Sequence, residues 1–383
     1  MTKHEPKRGI YALSADPIHN GHIYNIKCAM ESGLIDELLV AVGVNYSKKT
    51  LFNLEERSFL VSKAIYSSGF DEDKVKVGHF DGLLRNYALR EGYDFIIRGA
   101  RHGLDFDYEQ TLSCFNGEYG LQTLVFPSPR DNRDISSGFV KAVASEGGFV
   151  HGSVHSSVKQ ALEERLRGVS LIGVTGNIGS GKTTFCENLK KYAYTKGQNI
   201  NYVDLDKIIR SLYDSDSFMG KRVRNDIKKE HGEEVFRNGR LDRKKLGEIV
   251  FNDEKKRRNL AELIRIPTLV ELEETLRKLK GMVLVEAAYF TEYNLVPIVN
   301  NNVILVDCCE DERMTRVSKR DKTPIEKVIL KDKAQDPYTD KKRKILDMQS
   351  SSDHGFFLEV NNEKTIAYES VLNELNKNFP LFK

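Results

Sequence analysis

Gly176-Asn177-Ile178-Gly179-Ser180-Gly181-Lys182-Thr183, directly after the apolar run Val169 to Val174, fits the pattern GxxxxGK[ST]. A strand, this loop and a helix form the setting in which the pattern binds phosphate. The glycines let the backbone curl until successive N–H groups face one anion, the lysine reaches the terminal phosphates, and the threonine hydroxyl is placed for a divalent cation. Such a loop normally opens its domain, so the residues ahead of it need a fold of their own. At 383 residues the chain has room for two domains of ~100–200 residues, each able to bury a core. The stretch Val154 to Arg167 reads as a polar helix with apolar Val158, Leu162 and Leu166, and Gly168 is its natural stop. The boundary is therefore expected there, giving domains 1–167 and 168–383.

Charged residues make up 30% of the chain but are mixed in sign, and a net charge of +3 is too small to argue for nucleic acid. Small phosphorylated molecules are the expected acidic partners. Met1 to Arg8 is polar, and no stretch is long and apolar enough to span a membrane. Five cysteines show no CxxC spacing or disulfide framework, which fits a reducing, cytoplasmic setting; with no spanning stretch, no membrane partner is expected.

The first half alternates strand and helix patterns. Strands are expected at Ile10–Leu13, Glu37–Val44, Lys74–Val77, Asp94–Ile97 and Thr123–Phe126, with helices at Gly21–Glu31, Leu54–Tyr66, Leu83–Glu91 and Asp105–Cys114. This order implies a parallel sheet with right-handed crossovers, whose ligands bind at the carboxyl ends of the strands. Donor clusters follow the strands: His22 at a helix start, Asn45, Lys48 and Lys49 after the second strand, and Arg98-Gly99-Ala100-Arg101 after the fourth. Any one of these alone reads as a solvated or capping residue. Their joint placement at one sheet edge points to an anion site.

These residues resemble bacterial-type phosphopantetheine adenylyltransferase, a nucleotidyltransferase family marked by an HxGH motif, over about Gly9 to Leu166. The resemblance rests on DPIHNGH at Asp16–His22, Lys48, Lys49, Phe52 and Glu55-Glu56-Arg57, then Phe80-Asp81-Gly82-Leu83-Leu84. It continues through Arg98-Gly99-Ala100-Arg101, Asp105-Phe106-Asp107-Tyr108-Glu109 and Ile135-Ser136-Ser137. It implies attack by the phosphate of 4'-phosphopantetheine on the α-phosphate of ATP. His22 would stabilise the transition state, and Lys48 and Arg98 would hold phosphates. Ser14, Ala15, Gly99, Ala100, Arg101, Glu109, Asn132, Ile135, Ser136 and Ser137 would contact ATP. Ser14 and Leu84 would also face the pantetheine substrate. Relatives of this type assemble into rings, so self-association through this domain is an expectation. Leu13, Ala15 and Gly138 depart from the family pattern and are expected to affect rate or nucleotide affinity rather than fold.

In the second half, the strand expected at Asn201–Leu205 puts Asp204 and Asp206 near its end, where one carboxylate can take a proton from a hydroxyl while another orients it. A plain helix cap at Asp206 is the compatible structural alternative. From Val169 onward this half resembles dephospho-CoA kinase. The resemblance rests on GNIGSGKTT, on YVDLDKIIR with Asp206 and Arg210, on His231–Asp253, on Glu286–Glu292, and on Arg313, Arg316 and Arg320 beyond the strand Val303–Asp307. It implies transfer of the ATP γ-phosphate to the ribose 3'-hydroxyl of dephospho-CoA. Asp206 would be the base. Gly179, Ser180, Gly181, Lys182, Thr183 and Thr184 would cradle ATP, Thr183 would hold Mg²⁺, and Arg320 would be a lid charge. Asp204 and Arg210 would contact the acceptor. Ile266-Pro267 replaces the family's His-Pro, Glu286 stands where an Asp is expected, and 333–354 aligns only loosely.

The two implied reactions are consecutive, so the resemblances together imply a bifunctional enzyme of the last two steps of coenzyme A formation, and the fold expected is α/β, an N-terminal Rossmann-like HxGH nucleotidyltransferase fold and a C-terminal P-loop kinase fold, both on parallel sheets. Two alternatives stand beside it. One reads the first domain as an impaired scaffold for an active kinase; the other reads the pair as a nicotinamide mononucleotide adenylyltransferase joined to a ribosylnicotinamide kinase, against which the DFDYE and LDR…VF segments speak.

Overall fold

In the computed structural model, which describes residues 5–44, 49–129, 135–251, 253–363 and 365–380, the chain forms two compact units, Met1–Leu166 with Ser351–Asp353 and Arg167–Ser350 with His354–Lys383. The first unit runs β1 (Arg8–Leu13), α1 (Asn20–Glu31), β2 (Glu37–Val44), α2 (Leu54–Tyr66), β3 (Val75–Asp81), α3 (Leu84–Arg90), β4 (Phe95–Ala100), α4 (Gly103–Gly117), β5 (Gln122–Pro127), α5 (Ser137–Ser145) and α6 (Ser156–Leu162). Helical crossovers leave neighbouring strands running the same way, and the sheet is parallel in the order β3-β2-β1-β4-β5. Side-chain alternation splits its core into two layers. Tyr11, Val40 and Ile97 pack on one face, and Ile10, Ala41 and Ile96 on the other. Because β1 pairs with β2 on one side and β4 on the other, the winding reverses there, and the crevice at their carboxyl ends is the place for a ligand.

Three local expectations need correction. β4 continues to Ala100, not Ile97, because its ladder with β5 runs on to the pair Ala100–Pro127. Arg98 and Gly99 are thus strand residues at the sheet edge rather than loop residues. β3 extends from Val75 to Asp81, beyond the expected Val77, since β2 supplies pairing partners through Val44. α6 is a short helix continued by a π-helical turn at Glu163–Arg167, and the chain turns at Gly168 with φ 65°.

The second unit begins with β6 (Val169–Thr175) and α7 (Lys182–Thr195), then β7 (Ile200–Asp204), α8 (Leu205–Asp214) and α9 (Phe218–His231). A small hairpin of β8 (Phe236–Arg237) and β9 (Arg240–Leu241) precedes α10 (Arg243–Phe251) and α11 (Glu254–Arg277). The rest comprises β10 (Gly281–Glu286), β11 (Val303–Asp307), α12 (Glu310–Asp321), α13 (Ile325–Lys333), α14 (Tyr338–Ser352), β12 (Phe357–Asn361) and α15 (Tyr368–Asn378). Its five-stranded sheet is parallel in the order β12-β11-β6-β10-β7. All seven residues of β6 are buried, as a central parallel strand covered on both faces requires. α7 and α15 cover one face through Phe185, Leu189, Leu372 and Leu375, while α8 to α11 build a separate cluster around Val223, Ile227 and Leu246.

Candidate active sites

In the first unit the chain leaves β1 through Ser14 and a buried turn in which Ala15 takes a left-handed φ of 47°. Asp16, 2% exposed, pins this turn: its carboxylate accepts from the amides of Leu51 and Phe52 and from Lys141 Nζ at 2.8 Å. Burial alone would raise its pKa, but these donors outweigh burial and hold the carboxyl below its ordinary value. The turn delivers His19 and His22 to the start of α1. His19 Nδ1 accepts from Gly21 N, and His19 N donates to His22 Nδ1, both at 3.2 Å, a reciprocal cap that uses histidines in place of the usual Ser and Glu. The rings stack with centroids 3.7 Å apart. With Nδ1 of His22 accepting, its ring proton sits on Nε2, which is left as a donor. Desolvation, then the charges of His19 and Arg101, push the His22 pKa well below the ordinary value, so this donor is a neutral imidazole.

Arg98 projects from the end of β4 and is held as a fork by Glu109 on α4, with Nε and Nη2 donating at 2.6 and 2.7 Å. Next to it Gly99 allows Asn25 of α1 to approach so closely that a Cβ there would lie 1.9 Å from Asn25 Nδ2. Asn25 donates to the Tyr11 hydroxyl at 3.0 Å and leaves Oδ1 buried without a partner among the described residues.

Two concavities meet at this point. One of about 310 Å³ is lined by Ser14, His22, Arg98, Gly99, Arg101, Glu109, Ile135, Ser136 and Ser137. The other, of about 700 Å³, runs over Phe80, Leu83, Leu84 and Phe115. Leu13, Ser14, Arg98 and Glu109 belong to both. Leu13 is also packed into the core.

Most of the residues singled out in the first half therefore converge. Ala15 and Ala100 do not line either concavity; both are buried in the backbone frame. Ser136 caps α5 by accepting from Phe139 N at 3.1 Å, and the Ser137 hydroxyl donates to Pro17 O at 2.8 Å, so both serines also hold the loop. Lys48 and Asn132 lie outside the described residues. Sequence reasoning gave no role to His19 or Asn25. The i, i+3 spacing of His19 and His22 at a helix start was the available signal for the first. Asn25 faces Gly99 only through tertiary packing.

In the second unit the glycine loop joins β6 to α7 with Gly176, Gly179 and Gly181 at φ 149°, 81° and 89°. A Cβ on Gly181 would stand 2.0 Å from Asn362 Nδ2, so glycine is needed for both conformation and space. Lys182, 8% exposed, donates to the carbonyls of Gly176 and Asn177 at 3.0 and 3.1 Å. Burial lowers its pKa, opposed by the charges of Glu286 and Asp206.

Parallel register sets Glu286 at the end of β10 beside Asp204 at the end of β7. Thr183 Oγ1 donates to Glu286 Oε1 at 2.9 Å, and the Tyr202 hydroxyl donates to its other oxygen. Burial raises the Glu286 pKa despite these donors and Lys182. Asp206 is raised by burial and then by Asp204, against the pull of Lys182 and Arg210. The Thr183 hydroxyl and the Glu286 carboxylate are hard oxygen donors of the kind a divalent cation takes.

The cap of α8 is Asp204, not Asp206: its carboxylate accepts from Lys207 N at 3.1 Å, because the strand ends one residue earlier than expected and Leu205 is already helical. Asp206 lies in the first turn of α8 and, with Arg210 and Arg243, lines a shallow concavity. Ser180 is buried and Thr184 exposed. Arg320 pairs with Asp321 at 2.7 Å, whereas Arg316 reaches Asn362 O at 3.3 Å and lies beside Gly181.

The segment 333–354 grips the loop. Gln335 Oε1 accepts from Ile178 N at 2.8 Å, Asn177 Nδ2 donates to Asp336 O at 3.1 Å, and fully buried Lys341 pairs with Glu292. Arg313 adds a bond to Ile178 O at 3.1 Å. These supports were missed because their partners lie far away in sequence.

The dephospho-CoA kinase family matches residues 170–351, and a cytidylyltransferase-like family matches residues 11–235. A phosphopantetheine adenylyltransferase of Brucella anthropi is 39% identical over 163 residues, 41% of this chain and 97% of that protein. Another, from Cutibacterium acnes, is 38% identical over 159 residues, covering 41% of this chain and 98% of the relative. The crystal structure of TT1252 from Thermus thermophilus shares 25% identity with a TM-score of 0.43, over 56% of this chain and 99% of that one.

Proposed function

The chain belongs to the phosphopantetheine adenylyltransferase family through its first unit and carries a dephospho-CoA kinase domain in its second, and on that premise we propose how its residues divide the work. The chain is a bifunctional enzyme of the last two steps of coenzyme A formation, with ATP as substrate in both. We assign the steps to 1–167 and 168–383.

In the first step a phosphate oxygen of 4'-phosphopantetheine bonds to the α-phosphorus of ATP as the bond to the leaving pyrophosphate breaks. The attacking group is already an anion, so the protein needs no base and supplies alignment and charge. His22 donates Nε2–H to the reacting phosphate. Arg98, held by Glu109, and Lys48 hold phosphate groups. Ser14, Gly99, Arg101, Asn132, Ile135 and Ser136 border the nucleotide, with Ala15 and Ala100 acting through backbone alone. Leu84 lines the pantetheine side. The observation that carries this assignment is that the two concavities share Ser14, Arg98 and Glu109, as a reaction joining two ligands requires.

In the second step the ribose 3'-oxygen of dephospho-CoA attacks the γ-phosphorus, its proton passes to Asp206, and ADP leaves. Lys182 and the amides of Gly179 to Thr184 cradle the phosphates. Asp204 orients α8, Arg210 faces the acceptor, and Arg316, more than Arg320, adds charge over the loop. Thr183, with Glu286 beside it, would hold Mg²⁺, which when bound offsets phosphate charge. A cytoplasmic location and self-association through the first domain complete the proposal. The test is separate rate assays of the unmutated protein for pyrophosphate release from 4'-phosphopantetheine plus ATP and for ADP release from dephospho-CoA plus ATP. Both are expected; kinase activity alone would reduce the first domain to a scaffold.

A further inference from the structure

β11 ends at Asp307 and α12 begins at Glu310, and between them stand Cys308, 2% exposed, and exposed Cys309. The sulfurs of both and a carboxylate oxygen of Glu312 all lie within 4.8 Å of one another. Local spacing puts them there. Cys309 is the cap of α12 and Glu312 its third residue, the positions that a Ser and a Glu fill when they cap a helix reciprocally. Among the described residues Cys309 makes no side-chain cap bond, so its thiol is not spent on the helix end. Glu312 Oε2 accepts from Cys308 Sγ at 3.6 Å, while Arg316, one turn on, donates to Oε1. The turn itself is braced: Cys308 N donates to Asp307 Oδ1 at 2.8 Å, and Cys308 O accepts from Arg313 Nε at 3.2 Å.

Two thiols and a carboxylate are a different donor set from the Thr183 and Glu286 oxygens. Thiolate suits zinc or cadmium, whereas Mg²⁺ takes oxygen and water. A zinc ion holds sulfur at about 2.3 Å and carboxylate oxygen at about 2.0–2.2 Å, which sets its ligand atoms roughly 3.5–3.8 Å apart in a tetrahedron. Closing to that spacing from within 4.8 Å is in the reach of side-chain rotation. Three protein ligands leave a fourth position for water, and exposed Cys309 opens the site to solvent. The supporting bonds are already made, since Arg316 fixes the carboxylate and Arg313 the cysteine turn. Charge balances as well: each thiol gives a proton to solvent, and a divalent ion with two thiolates and one carboxylate carries the same single negative charge as the carboxylate alone. Arg316 therefore keeps an anionic partner. Burial pushes the Cys308 thiol up to about 11, so proton release works against binding and affinity should rise with pH.

We infer that Cys308, Cys309 and Glu312 form a binding site for a thiophilic divalent cation such as Zn²⁺. Binding there is independent of either proposed reaction step, but its supports are shared with the glycine loop. Arg313 also donates to Ile178 O at 3.1 Å, Arg316 reaches Asn362 O at 3.3 Å, and Asn362 Nδ2 donates to Ser180 O at 2.7 Å. An ion that ties the end of β11 to α12 should therefore raise the melting temperature of the second unit.

The test titrates the reduced full chain with Cd²⁺, whose bonds to thiolate absorb in the ultraviolet, and follows a thermal melt with and without Zn²⁺. Expected are an absorbance rise that ends at one Cd²⁺ per chain and survives a large excess of Mg²⁺, and a higher melting temperature with Zn²⁺. Cys309→Ser, changed at the exposed sulfur, should bind at least about tenfold more weakly with about half the absorbance per ion, and Glu312→Gln roughly tenfold more weakly with that absorbance kept. Cys114→Ser, altered at an exposed thiol elsewhere, should match the unmutated protein. Melts without metal confirm that each variant is folded before its affinity is read. No rise at one equivalent, a rise abolished by Mg²⁺, or binding by Cys309→Ser or Glu312→Gln equal to that of the unmutated protein would overturn the inference.

Discussion

In both units the proposed reacting groups gather at the carboxyl ends of parallel strands, yet the first edge presents His22, Arg98 and Arg101 while in the second Lys182 feels the charges of Glu286 and Asp206, with Asp204 beside Glu286. The chemistry explains the difference. A phosphate nucleophile needs donors and no base, and His22 is accordingly a neutral donor whose other nitrogen is occupied by His19. A ribose hydroxyl must lose a proton, and burial together with Asp204 raises Asp206 toward a pKa at which a carboxylate accepts one more readily. Similar sheet edges therefore serve two steps because their charge is arranged differently.

The sharpest way to break this contrast is Asp206→Asn. A lost base is expected to lower the kinase rate by roughly 10²–10⁴-fold with adenylyl transfer unchanged, measured as ADP release from dephospho-CoA and ATP. A rate near that of the unmutated protein would remove Asp206 from the step. The pH profile sharpens it. Asp206 is the base only when ionised, so the kinase rate falls as pH drops through its raised pKa. Asp204→Asn keeps the helix cap but removes the charge that raises Asp206, and should move that acidic limb to lower pH.

Next in size, Lys182→Ala is expected to cost roughly 10²–10³-fold in the kinase step while dephospho-CoA still forms. His22→Ala should cost about 10²-fold in adenylyl transfer alone, and His22→Gln, which retains a donor, should recover part of it. Because His22 is already neutral, the ratio of unmutated to His22→Gln rates should stay constant from about pH 6 to 8. A ratio that tracks pH there would mean a charged imidazole.

The smallest effect concerns the frame. Gly99→Ala, driven against Asn25, should destabilise the first unit by about 1–3 kcal/mol, and Asn25→Ala added to it should restore much of the loss in a thermal melt.

How far all this was legible from sequence differed by kind of residue. Glu37–Val44, Leu54–Tyr66 and Val303–Asp307 stand where periodicity put them, because apolar runs and acidic first turns are local signals. β4 looked shorter than it is because Arg98 interrupts its apolar run, although the ladder with β5 carries it onward. The glycine loop was legible because its positive φ values demand glycine. The Arg98–Glu109 fork, the Gly99–Asn25 contact and the Lys341–Glu292 pair were not, since each depends on elements meeting in space.

The most direct test mixes two variants. His22→Ala and Lys182→Ala proteins, alone and together, are given 4'-phosphopantetheine, ATP and Mg²⁺, and products are followed by mass. Two separate sites predict little coenzyme A from His22→Ala, dephospho-CoA accumulating with Lys182→Ala, and coenzyme A restored in the mixture. Coenzyme A made freely by either variant alone, or a mixture no better than its parts, would contradict the account.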